Sequence, residues 1–141
     1  MRPARALLLS GAAVMSLGAA GCGGYALRGK VIEGEASWAF VVEADDPRLD
    51  GQGVDGVQVE LMLDPQRLNR KPGGSAMSGA SGEFTITVGE FGAGVLLYDA
   101  LVRAEKPGYI PAEQSFALPG QDKRVLIVLQ RGTAPRTGGN E

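Results

Sequence analysis

The chain has 141 residues, with 14 basic side chains, 16 acidic side chains and no histidine. Arg2 and Arg5 precede the only cysteine, Cys22, so the remainder carries 12 bases against 16 acids, a net charge of −4. This length predicts a single domain, and the acidic balance argues against nucleic-acid binding. Without histidine the chain lacks the commonest general base and metal ligand, so we expect no enzymatic activity and no cofactor.

Residues 1–21 have the three parts of an export signal. "MRPAR" supplies the positive start, and "ALLLSGAAVMSLGAA" supplies an apolar stretch that is shorter than the roughly 20 residues of a membrane-spanning helix. The small residues Ala19, Ala20 and Gly21 then occupy the place of a peptidase cleavage site. We predict that residues 1–21 are a lipoprotein signal peptide. A plain signal peptide is the alternative, and Cys22 separates the two.

Cys22 follows the small residues directly, and "AAGC" resembles a bacterial lipobox. The resemblance implies that Cys22 becomes the acylated N-terminus, that residues 22–24 form a short lipidated linker, and that acyl chains hold the protein to a membrane. The residue after Cys22 is Gly23 and not an aspartate, which resembles the pattern of lipoproteins that are sorted to the outer membrane. We therefore expect a cell-envelope protein at the outer membrane. The alternative, a free thiol, is rare in exported proteins.

The predicted domain, residues 25–131, begins with two strand-like pieces, "YALRGKVIEG" and "ASWAFVVEA". In the second piece Trp38 and Phe40 share one side of the strand. Aromatic side chains on strands usually belong to the core, and this is the interpretation we favour. The alternative is an exposed aromatic face that stacks on sugar rings.

An acidic, glycine-rich loop follows, and its aspartates are Asp45, Asp46, Asp50 and Asp55. Exported proteins use such loops to bind calcium, although the spacing does not match an EF-hand. A solvated surface loop without a metal is the favoured interpretation. Farther along, a basic loop contains Arg67, Arg70 and Lys71, which either meet an anionic glycan or cluster by chance.

The later strands alternate apolar and polar residues. In "VQVELML" the residues Val57, Val59, Leu61 and Leu63 share one face, with Met62 on the other, and in "FTITV" Phe84, Ile86 and Val88 share one face, while the nearly all-apolar "KRVLIVLQ" indicates a central strand. Period two also holds over residues 96–105, with a short helix at 95–100 as the alternative. Residues 132–141 have the composition of a disordered tail. Seven short strands predict an all-β, antiparallel Greek-key sandwich.

Three short motifs resemble those of carboxypeptidase regulatory-like domains, which share the transthyretin-like sandwich. They are Gly56-Val57 with Val59, Gly82 with Phe84, and Lys106 with Gly108-Tyr109. Their glycines are explained by tight reversals that need a positive φ. The resemblance implies a non-catalytic structural or interaction module whose partner is an envelope protein or polymer. The alternative is a glycan-binding or small-ligand-binding surface lipoprotein.

Overall fold

The computed structural model describes residues 24–68, 70–89, 93 and 96–133. Within these residues the chain forms nine β-strands, one 3-10 helix (Pro47–Asp50) and no α-helix. The strands are β1 Tyr25–Glu33, β2 Trp38–Glu43, β3 Gln58–Leu63, β4 Lys71–Met77, β5 Glu83–Val88, β6 Asp99–Glu105, β7 Tyr109–Ile110, β8 Ala112–Ala117 and β9 Lys123–Arg131. The predicted all-β class is therefore confirmed.

The strands form two sheets that pack as a β-sandwich-like fold. The first sheet has the order β2-β9-β1-β5, with β7 added on β9, and the second has the order β4-β3-β6-β8. The described residues thus contain nine strands, where the sequence predicts seven. The prediction of antiparallel sheets holds for the second sheet and is wrong for the first, because β1 and β9 pair in parallel. Alternation along a strand reports its buried face and carries no information about its direction.

The main core lies between the two sheets. β3 contributes Val59, Leu61 and Leu63, and β5 contributes Phe84, Ile86 and Val88, all at most 4% exposed. These are the faces that the alternation predicts. Central position is confirmed for β9, which lies between β2 and β1 and is buried on both faces from residue 125 to residue 129.

A second, smaller apolar cluster covers the outer face of the first sheet. Leu126 and Val128 of β9 and Val42 of β2 form it, and Phe40 and Leu49 pack against it. Leu49 belongs to the 3-10 helix between β2 and β3. That connection therefore folds back over the outer face of the sheet. As a result, β2 and β9 are in contact with apolar residues on both of their faces.

One predicted loop and one predicted strand differ in extent from the structure. Lys71, which is predicted to lie in a basic loop, starts strand β4 instead, and the edge position of this strand accommodates Pro72. Residues 96–98 contain no helix, so the helical alternative does not hold for the described part of residues 95–100.

The sandwich has two distinct ends. At one end β1 begins with Tyr25, which pairs with Val88; we call this the N-terminal end. Because β1 and β9 run in parallel, Glu33 and Arg131 lie together at the other end, which we call the distal end. Nine residues at about 3.3 Å each place the two ends about 30 Å apart. The predicted signal peptide, Cys22 and most of the predicted tail lie outside the described residues.

Candidate functional site

The predicted aromatic pair lies on the outer face of the first sheet. The ring centroids of Trp38 and Phe40 are 5.0 Å apart, with an interplanar angle of 55°. Trp38 is 53% exposed, so the favoured core interpretation is wrong for this residue. Phe40 is half-buried against the second cluster. On β2 the small Ala39 faces the main core instead, and because both faces of β2 are apolar, the sequence does not show which face is inward.

In the acidic loop, Asp46 caps the 3-10 helix. Its carboxylate accepts hydrogen bonds from the backbone N–H of Arg48 at 3.0 Å and from Arg48 Nε at 2.9 Å. Side-chain hydrogen bonding from Arg48 lowers the pKa of Asp46 to about 2. The Arg48 guanidinium also lies 4.8 Å from the centre of the Phe40 ring. Asp46 therefore fixes the loop on the sheet.

The other three loop aspartates, Asp45, Asp50 and Asp55, are exposed. No group of three or more acidic, cysteine or histidine side chains is placed to hold a metal ion anywhere in the described ranges. The structure does not bring the four predicted aspartates together around one point. The loop contributes instead an apolar cover, Leu49, and the backbone near Asp55 that lines a cleft.

This distal cleft, of about 740 Å³, opens beside Glu33, Tyr109 and Arg131. The Tyr109 hydroxyl donates to Glu33 Oε2 at 3.0 Å, and Arg131 Nε donates to Glu33 Oε1 at 2.9 Å. The Arg131 guanidinium lies 5.5 Å from the centre of the Tyr109 ring. The three side chains thus form one hydrogen-bonded and stacked unit on strands β1, β7 and β9.

The side chains in this unit shift one another's pKa values. The hydrogen bond from Arg131, followed by that from Tyr109, lowers the pKa of Glu33. Desolvation, followed by the hydrogen bond to Glu33, raises the pKa of Tyr109. Glu33 is therefore held in its ionised form, and both of its carboxylate oxygens accept a hydrogen bond. This arrangement is suited to recognition through hydrogen bonds and charge.

Lys106 forms the other side of the distal cleft. Its Nζ donates to the backbone carbonyl of Asp55 and lies 5.9 Å from the centre of the Tyr109 ring. Gly108 has a φ of 88°, which turns the chain from β6 into β7 and places Tyr109 over the cleft. Tyr109 is also partly buried and packs against the main core.

Sequence reasoning missed Glu33 and Arg131 as site residues. They are 98 positions apart in the chain, and only the parallel pairing of β1 with β9 brings them together. Glu33 is an acidic residue at the end of one predicted strand, and Arg131 is a basic residue at the end of another. Without the pairing, neither carries a signal that distinguishes it from an ordinary exposed charge.

No family model matches the chain, and no curated protein matches it significantly. None of the helical segments within the described residues has the length and apolar character needed to cross a membrane.

Proposed function

We propose that the protein is a lipid-anchored cell-envelope protein whose β-sandwich is a non-catalytic structural or protein-interaction module. We further propose that the sandwich is of the transthyretin-like, carboxypeptidase regulatory-like type. The backbone at the motif glycines supports this type: φ is 70° at Gly56, 80° at Gly82 and 88° at Gly108. All three positions use the left-handed region that the motifs require.

One observation carries the proposal for function: Cys22 directly precedes the N-terminal end of the sandwich, which is the end opposite the distal cleft. Strand β1 starts at Tyr25, three positions after Cys22, and three residues span at most about 10 Å. An acylated Cys22 would hold the N-terminal end next to the bilayer. The distal cleft would then face away from it, about 30 Å farther out. We propose the distal end, with Glu33, Tyr109 and Arg131, as the surface that contacts an envelope protein or polymer.

The anchor is tested by the intact mass of the protein extracted from membranes, beside a Cys22→Ala variant from the same host. We expect a mature chain that begins at Cys22 and carries acyl chains, and we expect the variant to lose both this modification and its fractionation with membranes. An unmodified chain found in the soluble fraction would refute the proposal.

The partner surface is tested by crosslinking in cells that produce the full protein. A photoreactive residue at Glu35, which is exposed and lines the distal cleft, should capture a partner. The same residue at Asp122, which is exposed at the N-terminal end of β9, is the matched control. Equal crosslinking from both positions would contradict a partner surface at the distal end.

Glycan binding is a second candidate function, favoured by the exposure of Trp38. Its ring and that of Phe40 form an aromatic face next to the Arg48 guanidinium, and a flat apolar ring with nearby donors is suited to stacking on a sugar. Retention on purified peptidoglycan should fall for Trp38→Ala. It should not change for Met77→Ala, which removes a similarly exposed side chain, 62% against 53%, on the other sheet. Equal retention of both variants would exclude the Trp38 face as the binding surface.

A further inference from the structure

Three leucines are exposed at the N-terminal end of the sandwich. Leu68 is fully exposed, Leu97 is 93% exposed and Leu96 is 51% exposed. They come from two separate connections: Leu68 lies between β3 and β4, and the other two lie between β5 and β6. Scattered exposed leucines are ordinary on a protein surface. Three large apolar side chains from two connections at one end need an explanation.

Hydrogen bonds show that these connections lie at the same end as Tyr25. The Tyr25 hydroxyl donates to the carbonyl of Pro119 at 2.6 Å. Next to Pro119, the N–H of Leu118 donates to the carbonyl of Tyr98 at 2.8 Å. Tyr98 follows Leu97 directly. The segment that contains Leu118 and Pro119 therefore joins Tyr25, the first residue of β1, to Tyr98, which follows the leucines.

The β3–β4 connection joins the same end from the other side. The N–H of Asp64 donates to the carbonyl of Asp99 at 2.7 Å, and the N–H of Asp99 donates to Asp64 Oδ1 at 3.2 Å. Asp64 opens the connection that contains Leu68. In this connection Arg67 and Arg70 are both exposed, on either side of the leucine.

We infer that this end of the sandwich, defined by Leu68, Leu96, Leu97, Arg67 and Arg70, is a membrane-docking surface that sits on the lipid bilayer. The leucines enter the boundary between headgroups and acyl chains, and the two arginines contact lipid phosphates. This inference rests on the proposed acylation of Cys22. Because the protein has a net negative charge, the leucines and not the overall electrostatic field supply the attraction.

The position of the anchor favours a bilayer over a protein as the occupant. The chain enters the described structure at Gly24, directly before Tyr25, so residues 1–23 attach at this end. With at most about 10 Å of chain between Cys22 and Tyr25, an acylated Cys22 leaves no room for a folded partner between this end and the lipid. Arg67 and Arg70 also match the negative charge of lipid phosphates.

The test uses tryptophan fluorescence in the full lipidated protein. Trp38 is the only tryptophan of the chain, so Trp38→Phe gives a background without signal, to which Leu97→Trp is added. The matched control adds Met77→Trp to the same background. Met77 is also exposed, but it pairs with Gln58, which lies opposite Glu105 at the distal end. Both proteins are reconstituted into phosphatidylethanolamine–phosphatidylglycerol vesicles containing lipids brominated near the top of their acyl chains.

We expect the brominated lipid to quench the Leu97→Trp protein, its emission to shift to the blue on reconstitution, and the Met77→Trp protein to show neither change. Adding Leu68→Ser and Leu96→Ser to the Leu97→Trp protein should reduce the quenching. Circular dichroism of each variant verifies folding.

The outcomes separate this inference from the proposed function. If the mass shows acyl chains on Cys22 but bromine quenches neither tryptophan, the docking surface is refuted and the anchor stands. Equal quenching in the two proteins refutes it as well, since the domain would then have no preferred orientation. A blue shift without quenching would point to a protein contact and also refute it. A chain without acyl groups refutes both proposals.

Discussion

Removal of the buried hydroxyl of Ser78 is expected to destabilise the fold far more than its size suggests. Ser78 is 3% exposed, and its Oγ donates to the carbonyl of Val54 at 2.7 Å and accepts from the N–H of Val57 at 2.8 Å. Ser78→Ala leaves one buried acceptor and one buried donor without this partner. Each such group costs about 1–3 kcal/mol, so we expect a loss of about 2–6 kcal/mol in the free energy of unfolding.

The measurement is a urea titration of the purified protein followed by far-UV circular dichroism, with Ser81→Ala as the matched control. Ser81 is exposed, and its hydroxyl makes one long contact with Glu83, at 3.3 Å. We expect the control to stay within about 0.5 kcal/mol of the parent and Ser78→Ala to unfold at a clearly lower urea concentration. If the two variants unfold at the same urea concentration with the same slope, the hydroxyl does not hold the β2–β3 connection and the reasoning is wrong.

Three more predictions concern the distal cleft, the turn before β5 and the main core. Glu33→Gln should lower the pKa of Tyr109, because the charged acceptor that helps to raise this pKa is gone. Tyrosinate absorbance during a pH titration measures the pKa, and an unchanged pKa in the variant would contradict the hydrogen bond. Gly82→Ala should lose at least about 2 kcal/mol of stability, since φ is 80° and a Cβ would overlap the Val31 carbonyl. Gly79→Ala, where a Cβ has room, is its control, and equal urea midpoints would refute the strain. Ile127→Ala should lose about 2–5 kcal/mol by chemical denaturation, because this fully buried side chain lies in the main core, and a loss below about 1 kcal/mol would contradict that packing.

Sequence patterns predict the buried faces well wherever the opposite face is polar. In β5 the alternation of Phe84, Ile86 and Val88 with exposed polar residues has one interpretation, and burial follows it. In β2 the pattern has two interpretations, since Trp38 and Ala39 both suit an apolar face. The small residue is buried and the large one exposed, since Ala39 faces the main core and Trp38 lies beside Phe40 on the outer face. That is a tertiary effect, and the sequence of β2 does not contain it.

The distal cleft escapes sequence reasoning for a different reason. A strand reveals its alternation but neither its neighbours nor its direction, and the cleft depends on both. Glu33 and Arg131 meet only because the first and last strands pair in parallel, with Glu33 opposite Leu129. The one local signal is the turn before Tyr109, where Gly108 allows the chain to reverse. That signal identifies a turn and does not indicate the residues that Tyr109 contacts.

The parallel pairing of β1 with β9 also places the start of the first strand and the end of the last one at opposite ends of the sandwich. If these strands were antiparallel, the chain would enter and leave the sandwich at the same end, and the distal end would be formed by connections alone. In the parallel arrangement the chain enters next to the exposed leucines and leaves at Arg131, beside the cleft. An anchor at Cys22 and a partner at the cleft would then act on opposite ends of the adjacent β1 and β9.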